Sequence, residues 1–112
     1  MSKLTRHVLA TSTGKPADGI AVILEINNNG SWKKIGEGIT NADGRISALT
    51  AADAVIENGT YRLLFETAAY FNRQNKKSFY PKVSIEFTVT DNSHHHVPLL
   101  LSPFGYSTYR GS

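Results

Sequence analysis

The sequence predicts an all-β protein, a two-sheet antiparallel β-sandwich with one short helix. Two observations carry that expectation. Apolar residues recur at every second position in several short runs, and glycine- or asparagine-rich turns separate those runs. A third observation is size: 112 residues, 40% apolar and 19% charged, suit one globular domain over residues 1–112.

The first strand is expected over residues 4–11, with Leu4, Arg6, Val8 and Ala10 on one face and Thr5, His7 and Leu9 on the other. Ile20, Val22, Leu24 and Ile26 then alternate with smaller or polar positions until Asn27-Asn28-Asn29-Gly30 breaks the run as a hairpin loop. Residues 32–40 supply the partner strand, thinned by Gly36 and Gly38. Asn41-Ala42-Asp43-Gly44 is a second tight turn, in which Asp-Gly provides the positive-φ position. Tyr61, Leu63 and Phe65 alternate with Arg62, Leu64 and Glu66. Residues 67–75 break the pattern: Ala68, Ala69, Tyr70 and Phe71 follow Thr67, an N-cap residue type, and predict a short helix. The clearest strand is 82–90, where Val83, Ile85, Phe87 and Val89 face the core and Lys82, Ser84, Glu86 and Thr88 face water. Residues 105–112, rich in Tyr, Thr and Ser, predict a last strand running to the terminus.

Composition removes several functions. With no cysteine there is no disulfide, zinc ribbon, iron–sulfur cluster or thiol catalysis, and the redox compartment leaves no mark. A net charge of +3, with no basic run longer than a pair such as Lys76-Lys77, lacks the stripe that a nucleic-acid binder presents. No apolar run approaches the roughly 20 residues of a transmembrane helix. Met1-Ser2-Lys3-Leu4 does not open a signal peptide, so the expected location is the cytoplasm, or the periplasm if a leader has been removed.

Chemistry must therefore come from polar residues on the strands. His94, His95 and His96 are consecutive, so on a strand His94 and His96 share a face and His95 takes the other. Three readings stay open for them: solvated imidazoles at a strand start, a general base, or, with His7, a zinc or iron site. His7 itself sits on a face that suits a half-wet sheet surface equally well. Arg45 follows the Asp43-Gly44 turn, where an arginine is either solvated or a fixed fork of donors for an anion. The chain closes on Tyr109-Arg110-Gly111-Ser112, with no run of charged residues after the expected last strand. There is no Gly-x-Ser-x-Gly elbow, phosphate loop or close carboxylate pair.

The same residues carry a family resemblance. His7-Val8-Leu9 with Thr13-Gly14-Lys15-Pro16-Ala17, Asp43-Gly44-Arg45, and Thr67-Ala68-Ala69-Tyr70-Phe71 with Ser78-Phe79-Tyr80-Pro81 form three blocks. His96-Val97-Pro98-Leu99-Leu100-Leu101-Ser102-Pro103 and the closing Gly105-Tyr106-Ser107-Thr108-Tyr109-Arg110-Gly111-Ser112 complete the pattern. From Leu4 to Ser112 the chain resembles the transthyretin-like family, on the side of its ring-opening hydrolases rather than its hormone carriers. Ala10 and His95 depart from the common pattern at positions that are not catalytic in it.

The resemblance implies hydrolysis of 5-hydroxyisourate to 2-oxo-4-hydroxy-4-carboxy-5-ureidoimidazoline in urate catabolism. A transthyretin-like small-molecule carrier is the alternative. It implies His7, Arg45, His96 and Ser112 as catalytic residues, with His7, Arg45, Tyr109, Arg110 and Gly111 binding substrate. It further implies no metal and no organic cofactor, a homotetramer built as a dimer of dimers, and no nucleic-acid or membrane partner.

Overall fold

Alternation along the chain becomes two sheets facing each other across one apolar core. The computed structural model describes residues 2–10, 14–46, 55–90 and 95–110. In chain order these hold β1 (Ser2–Ala10), β2 (Lys15–Pro16), β3 (Ala21–Asn28), β4 (Ser31–Ile39), β5 (Val55–Ile56) and β6 (Gly59–Phe65). The helix α1 (Thr67–Asn72) follows, then β7 (Val83–Val89), β8 (His95–Ser102) and β9 (Gly105–Thr108). Among the described residues no helix is long and apolar enough to cross a membrane.

One sheet has the order β4-β3-β6-β7, with every pair antiparallel. Val22 and Leu24 of β3, Tyr61, Leu63 and Phe65 of β6, and Val83, Ile85 and Val89 of β7 all point inward and are buried. Each such side chain contributes about 1.5–3 kcal/mol by leaving water. The β3–β4 hairpin closes more tightly than the four-residue loop expected: both strands run to the turn, leaving Asn29 (φ 55°) and Gly30 (φ 90°) at its tip.

The other sheet has the order β2-β1-β8-β9, with β5 paired to the start of β1. Within the sandwich β1 and β8 run parallel, joining the beginning of the chain to its end. Parallel neighbours require a long crossover, and here nearly the whole domain supplies it. Val8 of β1 and Val97, Leu99 and Leu101 of β8 give this sheet its share of the core.

Two local expectations need correction. The helix is capped by Glu66 rather than Thr67, with no side-chain cap bond. Thr67 is the first helical residue, buried, and its Oγ1 has no hydrogen-bond partner among the described residues. The helix also stops at Asn72, because Asn75 turns left-handed (φ 55°) and the Lys76 N–H folds back to the Phe71 carbonyl at 3.0 Å.

The last strand stops at Thr108 instead of running to the terminus. Pro98 of β8 explains the stop. Its carbonyl faces β9, where the Thr108 hydroxyl donates to it at 2.6 Å. The proline nitrogen on that same side has no hydrogen to give, so the ladder cannot take its next step.

Candidate active site

The centre of the β2-β1-β8-β9 sheet is where the candidate residues gather. Leu4 to Ala10 of β1 lie in register with His95 to Leu101 of β8, so His96 stands opposite Thr5 and His7 opposite Pro98. Val8 and Leu99, the next pair, are both buried in the core. Strand alternation therefore sets positions 7 and 96 on one face of the sheet, the face turned away from the core.

The other side of β1 is a patchwork. β5 pairs with Ser2 and Lys3, and β2 pairs with Leu9 and Ala10. Between them, the Val8 N–H donates to the Gly44 carbonyl at 2.8 Å, and the Val8 carbonyl accepts from the Ala17 N–H at 3.0 Å. The 41–45 turn is thus fastened directly to β1, one residue from His7. Ile46 is buried and Arg45, its neighbour, is exposed, so the guanidinium leaves the turn away from the core. Gly44 has φ 73°, the left-handed geometry expected of the Asp-Gly pair.

Behind this patch Thr40 acts as a buried rivet. Its hydroxyl donates to the Ala17 carbonyl at 2.8 Å and accepts from the Ile20 N–H at 2.9 Å. That ties the 17–20 loop to the end of β4, immediately before the turn carrying Arg45. From the helix end, Arg73 adds a donor to the Gly19 carbonyl at 2.7 Å.

On the far side of β8 lies a hollow of about 220 Å³, walled by residues 85–88 of β7 and by His96, Val97, Thr108, Tyr109 and Arg110. It opens where β9 has ended, so the truncated strand and the hollow share one cause. His96 belongs to this hollow and, through β8, to the sheet that carries His7 and holds the turn of Arg45. Tyr109 and Arg110 are exposed at its rim. Ser112, Gly111 and His94 lie outside the described residues. Nothing in the sequence marks Glu86 and Phe87 as wall residues, because β7 reads there only as an alternating sandwich strand. Among the described residues no three His, Cys, Asp or Glu side chains are grouped to hold a metal ion.

The HIUase/Transthyretin family pattern matches residues 4–111. The chain belongs to that family. It is 46% identical over 110 residues to the 5-hydroxyisourate hydrolase of Salmonella dublin, covering 97% of this chain and 80% of that protein. The structure of the Klebsiella pneumoniae 5-hydroxyisourate hydrolase matches with a TM-score of 0.87 at 39% identity, each chain covered in full (100%). Sea bream transthyretin in complex with thyroxine matches with a TM-score of 0.88 at 31% identity, covering 96% of this chain and 93% of that one. Backbone shape therefore does not separate the two branches of the family, since the two scores are nearly equal. Residues do: the identity is higher on the hydrolase side, and function follows from the site rather than the fold.

Proposed function

We propose that this chain hydrolyses 5-hydroxyisourate to 2-oxo-4-hydroxy-4-carboxy-5-ureidoimidazoline, opening the six-membered ring at an amide-like carbonyl. The observation that carries the reading is the convergence at one sheet centre of His96, position 7 and the Arg45 turn, the last two joined through Val8 and Gly44.

His7 and His96 form the acid/base pair. Imidazole has an ordinary pKa of about 6.5, so near neutral pH one ring can be a base and the other an acid. One removes a proton from water as its oxygen attacks the carbonyl carbon. The other delivers a proton to the ring nitrogen as the C–N bond breaks. Arg45 holds the oxygen on which negative charge develops, an effect that is strong where water is excluded. Tyr109 contacts the flat ring, Arg110 and Gly111 shape the pocket, and Ser112 orients the water or passes a proton. No metal or organic cofactor takes part.

The same reading assembles a homotetramer, a dimer of dimers. β7 and β9 are the outer strands of their sheets and lie on one side of the sandwich. Beside them Phe79 and Phe104 are 70% and 69% exposed, and Tyr80 packs edge-on against both Phe79 and Tyr106. An unpaired edge with large exposed aromatics favours pairing with a second copy. A monomer by light scattering at assay concentration would overturn this part. Location in the cytoplasm, or in the periplasm after removal of a leader, belongs to the same proposal and is read by cell fractionation.

The deciding assay generates 5-hydroxyisourate from urate with urate oxidase and follows its absorbance. Decay accelerates in the presence of this protein, including protein dialysed against a strong chelator. Unchanged decay returns the chain to the carrier reading, and loss on dialysis restored by zinc revives the metal.

A further inference from the structure

The geometry points to Asn41 as the positioning residue of Arg45, setting where the guanidinium stands rather than touching substrate itself; this rests on the role proposed above for Arg45. Asn41 begins the turn and is bonded at both of its ends. Its backbone N–H donates to the Arg45 carbonyl and its own carbonyl accepts from the Gly44 N–H, both at 2.8 Å. Its side-chain Oδ1 then accepts two more bonds, from the Asp43 N–H at 2.8 Å and from the Arg45 N–H at 3.1 Å. One amide oxygen thus holds the backbone of the arginine and of the residue two before it.

The consequence reaches β1, because Gly44, between those two anchored residues, presents its carbonyl to the Val8 N–H. Without the Oδ1 acceptor the Asp43 and Arg45 N–H groups turn to water and the turn is free to open. The Arg45 side chain then springs from a backbone no longer held to β1 one residue from position 7. A misplacement of about 1 Å in a group that stabilises charge costs on the order of 10²-fold in rate. Asn41 is exposed and outside the core, so its effect should fall on turnover and little on folding.

The molecule contains its own control. In the β3–β4 hairpin Asn27 makes the same kind of bond, its Oδ1 accepting from the Gly30 N–H at 2.9 Å, at a turn that holds no candidate residue. If the caps are merely structural, removing either has the same consequence. If Asn41 positions Arg45, only one of them touches activity.

The experiment compares kcat, KM and thermal midpoint for Asn41→Ala, Asn41→Ser, Asn41→Asp, Asn27→Ala, Arg45→Ala and the Asn41→Ala/Arg45→Ala double variant. Asn41→Ala is expected to lose about tenfold or more in kcat/KM, divided between kcat and KM as Arg45→Ala divides it. Asn41→Asp keeps an oxygen acceptor and retains most activity, with Asn41→Ser between them. Asn27→Ala keeps full turnover. In the Arg45→Ala background Asn41→Ala has no further effect, since the group it places is gone.

Full activity in Asn41→Ala, an undiminished loss in the double variant, or no rescue by Asn41→Asp overturns the proposal. Should Asn41→Ala not fold, equal activity of Asn41→Ser and the parent overturns it instead. If Arg45→Ala itself keeps full turnover, the catalytic reading of Arg45 fails first and takes this inference with it. An inactive Arg45→Ala beside a fully active Asn41→Ala sinks the inference alone.

Discussion

In the β4-β3-β6-β7 sheet a pair of opposite charges is matched across neighbouring strands. Arg62 of β6 reaches across to Glu25 of β3, its Nε at 2.8 Å and its Nη2 at 2.6 Å from the same Oε1. The ring of Trp32 covers the guanidinium, 4.3 Å from centroid to Cζ. In the β2-β1-β8-β9 sheet the chemical groups come instead from three unlike elements: β1, β8 and the 41–45 turn. The first sheet is antiparallel throughout, with one register shift at Leu24/Glu25, and it pairs Arg62 with Glu25 internally. The second departs from regularity, with a parallel pair, a patched edge and a strand cut short by proline, and the candidate residues collect at those departures.

The sharpest way to break this contrast is to remove like groups from each sheet. His96→Ala, His7→Ala and Arg45→Ala should each reduce turnover on the order of 10²-fold or more, with thermal unfolding little changed. Arg62→Ala should do the reverse, keeping turnover and costing about 1–3 kcal/mol in denaturant titration for its charged hydrogen bonds. An Arg62→Ala protein that folds normally but is inactive would mean the first sheet also serves the chemistry.

Deleting Gly111 and Ser112 comes next. Most activity should go while circular dichroism stays that of the sandwich, because β9 ends at Thr108 and the deletion removes no strand residue. A C-terminal tag should impair turnover more than an N-terminal one. A fully active deletion would leave His7, Arg45 and His96 to carry the reaction alone.

In the core the two sheets should be equals. Leu63 and Leu99 are both wholly buried, one from each sheet. Their alanine variants should each lose about 2–5 kcal/mol in equilibrium unfolding. A clearly smaller loss at Leu99 would mean that the second sheet is the looser of the two.

The smallest effect concerns Tyr61, whose hydroxyl donates to the Glu57 carbonyl at 2.7 Å. Burial pushes its pKa above the ordinary 10.0, as does the nearby Glu57 charge, against an opposing backbone hydrogen bond. The folded protein therefore holds this proton more tightly than the unfolded chain. The stabilisation is whole below pH 10 and is lost as pH rises through the higher folded value. Tyr61→Phe should flatten that alkaline fall in unfolding midpoint while leaving activity at neutral pH unaltered.

What could be read in the sequence follows the same division. Val83, Ile85, Phe87 and Val89 announce β7 because each strand position decides its own face, and the structure buries three and half-buries Phe87. The Asp43-Gly44 turn was equally plain, since only a left-handed position demands that pair. The parallel joining of β1 to β8 left no local trace, because its partners stand at opposite ends of the chain. Two-residue strands such as β2 and β5 are too short to alternate. For the site, His7, Arg45 and His96 could be picked out by type, but Val8 and Gly44, the atoms that bring Arg45 to β1, act through backbone groups every residue possesses. Asn41 reads as a turn former, and an Asn two places before Asp-Gly is the available sign of an Asx turn.

Pro98 makes strand length and cavity volume a single quantity. Each further rung of β9 would draw one more residue of the tail down against β8 and across the mouth of the hollow. A residue with an N–H at position 98 would permit that zippering, and the lost opening would be exchanged for a longer, quieter sheet. The opening of the hollow at this edge thus depends on the one hydrogen that a proline nitrogen lacks.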